Sequence, residues 1–264
     1  MFSKSFVASL PVPMQDGLRK WHYERKLRSA QWTDEEELGA VKLLVRPEQT
    51  VFDIGANFGI FTRFLSETVG DEGRVYSFEP TRDMFLVLES NCSRLGLRNV
   101  SCEKLALSES PGQGLIRIPK RDDGTLNHYE ATLLPPGEGS NRAVDEAFDS
   151  VEVQSVDSFC AAEGIRQIDF IKCDVEGHEI EVLKGAESMI WRCRPDILIE
   201  VNEPLEDGGH GSEVKDLVTS LGYEIQIFEN EEIRPRKDGE TRVNYVLTPK
   251  TKPTSEPENL PASA

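Results

Sequence analysis

Three features of the chain predict an α/β fold: a mostly parallel sheet with helices on both faces and an antiparallel edge hairpin. From Thr50 onward, short apolar runs alternate with amphipathic stretches, the rhythm of strand-helix units that assemble into a parallel sheet. The first run ends in a glycine-rich turn, Val51-Phe-Asp-Ile-Gly-Ala-Asn-Phe-Gly-Ile-Phe-Thr62, which reads as strand, tight turn and helix start. The last two apolar runs are joined only by a charged connection, so they pair antiparallel. With 264 residues, of which 38% are hydrophobic and 29% charged, the chain can bury one large core.

Residues 1–48 form a helical preface, in which Thr33-Asp-Glu-Glu caps a helix through Leu38, Val41 and Leu44. Thr50 to Ile54 is a strand, Gly59 to Val69 a helix, and Gly73 to Phe78 a strand ending in Glu79-Pro80. Thr81 to Leu95 is a helix with Met84, Phe85, Leu88 and Leu95 on its apolar side, and Val100 to Leu105 is a third strand. The rhythm then breaks. Gly114 to Pro119 alternates as a strand, 119–150 is a polar insertion, and Val151 to Val156 is a strand followed by a short helix at Asp157. Ile168 to Cys173 is a strand, Glu179 to Ile190 a helix, Asp196 to Val201 a strand and Ser212 to Leu221 a helix. Tyr223 to Phe228 and Val243 to Leu247 are the final strand pair. The tail, 250–264, is polar and proline-rich, a composition expected to be disordered. The main domain is 49–249.

A formal net charge of −17 argues against a nucleic-acid partner, which needs a basic footprint. The run Arg19-Lys-Trp-His-Tyr-Glu-Arg-Lys-Leu-Arg28 is a local exception, read as a solvated helix. Five cysteines with no CxxC spacing do not form a disulfide framework or zinc site. No signal peptide or membrane span is read in the chain. A cytoplasmic protein is expected, free or as a homo-oligomer.

In such sheets ligands bind at the carboxyl ends of the strands, which singles out Asp53, Glu79, Ala106, Asp174 and Glu200. The glycine turn has no Gly-Lys-Ser/Thr ending, so it is not a P-loop. A dinucleotide site is the stronger rival, because Glu79 stands where an acid would hold ribose hydroxyls. The turn is nevertheless one glycine short of that fingerprint, and Asp53 places a carboxylate where a pyrophosphate would need positive or neutral partners. Asp53 suits S-adenosylmethionine, whose sulfonium and ammonium groups are positive. Gly55, Asn57, Gly59 and Thr62 would face its amino-acid end, and Glu79, with Pro80, its ribose.

The segments Val51-Phe-Asp-Ile-Gly-Ala-Asn-Phe-Gly, Phe78-Glu-Pro80, Ile168-Asp-Phe-Ile-Lys-Cys-Asp-Val-Glu-Gly-His-Glu179 and Val182-Leu-Lys-Gly-Ala186 together resemble the FkbM-type methyltransferase family, over about residues 48 to 249. The resemblance implies a class I methyltransferase (Rossmann-like) fold, S-adenosylmethionine as methyl donor and a hydroxyl acceptor, often on a sugar, glycan or polyketide. Asn57 belongs to the family pattern. Cys173 stands where the family more often has a β-branched residue. The preface, the 119–150 insertion and the tail match no sharp motif.

Methyl transfer to an alcohol needs close positioning and a base. Asp174, Glu176 and His178 follow one strand and Glu200 ends another, so these four are the catalytic candidates, and Asp174 could also touch the donor. His178 equally suits a helix start. Glu200 and Asn202 beside Asp174 resemble the divalent-metal site of catechol-type O-methyltransferases, which raises magnesium as a second cofactor. The insertion is expected to cover the acceptor, with Asn127 and His128 as acceptor contacts alongside Asn202 and with Tyr129 beside them. A non-catalytic S-adenosylmethionine-binding partner or sensor is the alternative function; an NAD-dependent oxidoreductase is disfavoured by Asp53.

Overall fold

The computed structural model describes residues 11–121, 124–134, 146–206 and 208–251. Most of the proline-rich tail, and part of the 119–150 insertion, lie outside the described residues. The main sheet holds β1 (Thr50–Ile54), β2 (Arg74–Phe78), β3 (Val100–Glu103), β8 (Phe170–Cys173), β9 (Asp196–Glu200), β10 (Tyr223–Glu229), β11 (Glu232–Pro235) and β12 (Asn244–Pro249), in the order β11-β10-β12-β9-β8-β1-β2-β3. Five strands, β3 to β9 in that order, pair in parallel.

Side chains alternate across this sheet with a period of two. On β1, Val51 packs with Val41, Leu65 and Val69 on one face. Phe52 and Ile54 pack with Phe159, Ile180 and Leu183 on the other. The helices supplying these layers are α2 (Leu38–Leu44) and α3 (Ile60–Val69) on the first face, and α5 (Val156–Glu163), α6 (Glu179–Lys184), α7 (Glu187–Cys193) and α8 (Gly209–Ser220) on the second. An additional helix, α4 (Arg82–Leu95), joins β2 to β3.

The antiparallel pair expected near the C-terminus exists, but its second strand takes an inner place. β12 lies between β9 and β10, antiparallel to both, and β11 adds an outer strand within the charged connection. Tyr245, Val246 and Leu247 are at most 1% exposed, so burial of both faces draws this apolar strand inward. The Glu179 to Ile190 helix is divided at Gly185, where a Cβ would come within 2.0 Å of the Ser108 carbonyl oxygen. Thr33 caps nothing: α2 begins at Leu38, with Glu37 preceding it and no side-chain cap. Val156 opens α5 rather than ending a strand, because Ser155 and Ser158 form a capping box.

The insertion departs most from expectation. β4 (Ala106–Leu107), β5 (Gly112–Pro119), β6 (Thr132–Leu133) and β7 (Glu146–Gln154) make a second sheet, ordered β4-β7-β5-β6. Residues 146–149 are only half-buried, so their hydrophobic alternation is weak although they pair with β5 throughout. Helix α1 (Val12–Ser29) carries the basic run and is docked rather than merely solvated. Its Leu27 is 1% exposed, Tyr23 stacks on Phe58 at 5.0 Å, and Arg19 pairs with Asp83 at 2.5 Å. No helix among the described residues is long and apolar enough to cross a membrane.

Candidate active site

β1 connects toward β2 on one side and lies against β8 on the other, so the chain changes direction between β1 and β8. That switch point is where an open parallel sheet leaves a crevice. A cavity of about 410 Å³ opens there, bounded by the glycine turn, the ends of β2, β8 and β9, the second sheet and α1. Gly55 has φ +79°, and a Cβ on it would stand 1.8 Å from the Asp174 carbonyl oxygen. Only glycine lets the turn after β1 come this close to the end of β8. Gly59, at φ +96°, starts α3 in a conformation that L side chains avoid.

Glu79 forms part of the cavity wall and is 6% exposed. Its Oε2 accepts the Asn57 backbone N–H at 2.9 Å. Its Oε1 accepts the Thr81 N–H at 2.9 Å and the Thr81 hydroxyl at 2.5 Å. Burial raises its pKa to about 7 against the pull of these hydrogen bonds. Glu79 therefore ties the glycine turn to the start of α4. Pro80, Leu105, Ala106 and Leu107 continue this wall as an apolar surface.

Asp53 does not reach the cavity, contrary to expectation. It is fully buried, and its Oδ2 accepts the Thr62 hydroxyl at 2.6 Å. Thr62 also bonds Ser77 at 3.0 Å. Asp53 and Thr62 thus lie behind the wall, and Gly59 likewise shapes the turn without lining the cavity. The group between Asp53 and the cavity is Lys172, which sequence reading passed over as an ordinary strand residue. Its ammonium donates to the Gly55 carbonyl at 3.1 Å and to Asp174 Oδ2 at 3.1 Å, and stands 3.9 Å from Asp53 Oδ1. Burial opposes its charge, but Asp174 and Asp53 outweigh burial and hold its pKa above the ordinary lysine value.

Beyond Asp174, the carboxylates of Asp174, Glu176 and Glu200 bring one oxygen each within 4.8 Å of one another. Burial first, then the Asp174 charge, pushes both Glu176 and Glu200 up to about 7. Glu176 adopts φ +56°, held in a loop that Glu179 organises. Buried Glu179 accepts the Gly177 N–H at 3.0 Å through Oε1, while its Oε2 lies 2.8 Å from His210 Nε2. Asn202 does not line the cavity; it lies two residues past Glu200, whose carboxyl pKa it lowers slightly against burial. His178 lines the cavity, but its Nε2 lies 2.8 Å from the Ser108 hydroxyl and its Nδ1 3.6 Å from Glu181. Burial lowers its pKa against the pull of Glu181 and Glu179, and both ring nitrogens face partners outside the carboxylate cluster.

The second sheet does supply part of the wall. His128 and Tyr129 line the cavity. Asn127 does not; its Oδ1 instead accepts from the Arg121 guanidinium at 2.5 Å. Lys26, Glu35, Glu37, Phe61 and Asn244 also line the cavity. None had a local sequence signature, since they come from the preface, α3 and β12 and converge only through the tertiary fold.

A family model described as the methyltransferase FkbM domain matches residues 53–225. The chain is 26% identical over 199 residues to methyltransferase sdnD of Sordaria araneosa, covering 66% of this chain and 73% of that protein. It is 30% identical over 202 residues to 31-O-demethyl-FK506 methyltransferase FkbM of Streptomyces tacrolimicus, covering 69% and 75%. It is 25% identical over 159 residues to 2-O-methyltransferase NoeI of Sinorhizobium fredii, covering 58% and 64%.

Proposed function

The chain belongs to the FkbM methyltransferase family, and from that premise we propose that it moves the methyl group of S-adenosylmethionine to a hydroxyl of a sugar, glycan, polyketide or other small molecule. One observation carries the reading: three carboxylates, Asp174, Glu176 and Glu200, meet in a cavity that the glycine turn and Glu79 also line. Glu79 accepts hydrogen bonds from the ribose hydroxyls, and the apolar surface at Leu105, Ala106 and Leu107 takes the adenine. Gly55 and Asn57 lie along the amino-acid end. The names of two relatives, a 2-O-methyltransferase and a 31-O-demethyl-FK506 methyltransferase, support oxygen as the acceptor atom.

When bound, S-adenosylmethionine would supply an electrophilic methyl carbon on its positive sulfonium, with S-adenosylhomocysteine as the leaving group. Asp174, held by Lys172, fixes the geometry of the cluster. Glu176 or Glu200 takes the hydroxyl proton. A carboxylate raised to about 7 is matched to that task near neutral pH. The developing positive charge on the cluster's side of the reaction is met by negative groups already in place.

A second reading keeps the residues and adds magnesium. Three carboxylate oxygens within 4.8 Å of one another fit a hard divalent cation. Asp174, Glu176 and Glu200 would hold it, and it would lower the pKa of the acceptor hydroxyl. The five free cysteines suit a reducing compartment such as the cytoplasm.

The test is incubation with methyl-labelled S-adenosylmethionine and a panel of hydroxylated sugars, glycans and polyketides. Label recovered as an O-methyl ether supports the proposal. Donor binding without transfer to any acceptor would favour the sensor or partner role instead.

A further inference from the structure

We propose that Lys26, on helix α1 and outside the residues matched to the family, binds the carboxylate of the methyl donor's amino-acid end. The inference rests on the donor reading above, which assigns no residue to the donor's carboxylate. S-adenosylmethionine carries a carboxylate as well as its two positive groups, yet Glu35, Glu37, Glu79, Asp174, Glu176 and Glu200 all line the cavity. A donor carboxylate entering this field needs a cation. Among the described residues only two lysines line the cavity, Lys26 and Lys172.

Lys172 is already committed, to Asp174 and the Gly55 carbonyl at 3.1 Å each and to Asp53 behind them. Lys26 makes no ion pair among the described residues; its charge acts through space on Glu35, which lines the same cavity. Its Nζ stands 4.7 Å from the centre of the Phe58 ring, so it overhangs the glycine turn at the end where the donor's amino acid belongs. It also donates to the Tyr129 hydroxyl at 3.4 Å, which holds it toward the cavity mouth. Tyr23, one turn earlier on α1, stacks on the same Phe58. The helix is therefore anchored on the turn and delivers an ammonium over it.

The experiment is calorimetric titration of the full chain and its Lys26→Ala and Lys26→Arg variants with two probes, S-adenosylhomocysteine and 5′-methylthioadenosine. Both have the adenosine and a thioether; only the first has the amino-acid carboxylate. Lys26→Ala is expected to weaken S-adenosylhomocysteine about 10-fold, the scale of one charge-assisted hydrogen bond, and to leave methylthioadenosine unchanged. Lys26→Arg should retain most of the affinity. Equal binding of S-adenosylhomocysteine by the wild type and Lys26→Ala would overturn the inference. So would parallel losses for both probes, which would mean that Lys26 only supports the turn. Failure of the wild-type chain to bind S-adenosylhomocysteine would overturn the donor reading itself, and this inference with it.

Discussion

The ammonium of Lys172 lies 3.1 Å from the Asp174 carboxylate and 3.9 Å from that of Asp53, joining a wholly buried acid to one at the cavity surface. Asp53 Oδ1 has no hydrogen-bond partner, so this nearby cation is what offsets its burial. Lys172→Met should destabilise the protein by about 3–5 kcal/mol, the cost of stranding a buried charge. Adding Asp53→Asn should recover a substantial part of that loss. Denaturant titration of the two variants checks both statements, and equal stability of the single and double variants would remove the pairing argument.

Glu79→Ala should weaken S-adenosylhomocysteine binding by about 1.5–3 kcal/mol, the scale of hydrogen bonds to a charged group. Because Glu79 also holds Asn57 and Thr81, the variant should show faster amide exchange in the glycine turn. Calorimetry and hydrogen exchange on the same sample separate the two effects. Unchanged affinity in a folded variant would show that the ribose lies elsewhere. NADH should not bind.

The parallel core of the fold was legible because β1, β8 and β9 are short buried runs closed by sharp turn signals, and helices connect β1 to β2, β2 to β3 and β8 to β9. Glu79, Asp174 and Glu200 could be placed at the cavity for the same reason: they sit at or just past strand ends. Asp53 could not be placed correctly from sequence. Strand residues alternate between faces, and only the packing of Thr62 and Lys172 shows that its carboxylate is sealed behind the turn. The second sheet was hidden because half-buried residues 146–149 carry little hydrophobic alternation. Lys26 was hidden because the charge of an exposed helix residue says nothing of what the helix docks against.

The pH dependence follows from Glu176 and Glu200, both raised to about 7 from an ordinary 4.5. A raised carboxylate pKa means that the folded protein holds the proton more tightly than the unfolded chain. Their contribution to stability is thus fully present below the ordinary carboxylate range and is lost as pH rises through about 7. The ligand-free protein should melt lower at the alkaline end of that window, and Glu200→Gln should flatten the trend. Turnover should move the opposite way, rising through the same window as the base loses its proton. A melting curve that improves with pH through this range would contradict the assignment.

Glu176→Gln or Glu200→Gln, whichever removes the base, should spare donor affinity and lower turnover by roughly 100- to 10,000-fold, the contribution of a positioned base, and Asp174→Asn should lower turnover by disordering the cluster it holds in place. Asp174→Asn needs its binding measured separately, because Asp174 borders the glycine turn. His178→Ala should be milder, since the ring is engaged by Ser108 and Glu181. If magnesium takes part, a chelator should abolish turnover, magnesium should restore it, and Glu200→Gln should match Asp174→Asn in severity. Full activity in chelator would confine the proton transfer to the carboxylates.

The most direct measurement is a crystal structure of the protein with S-adenosylhomocysteine. The predicted complex has both ribose hydroxyls on the Glu79 carboxylate and the sulfur facing the cluster of Asp174, Glu176 and Glu200. A nucleoside seated away from Glu79, or a sulfur turned from those three carboxylates, would contradict the account.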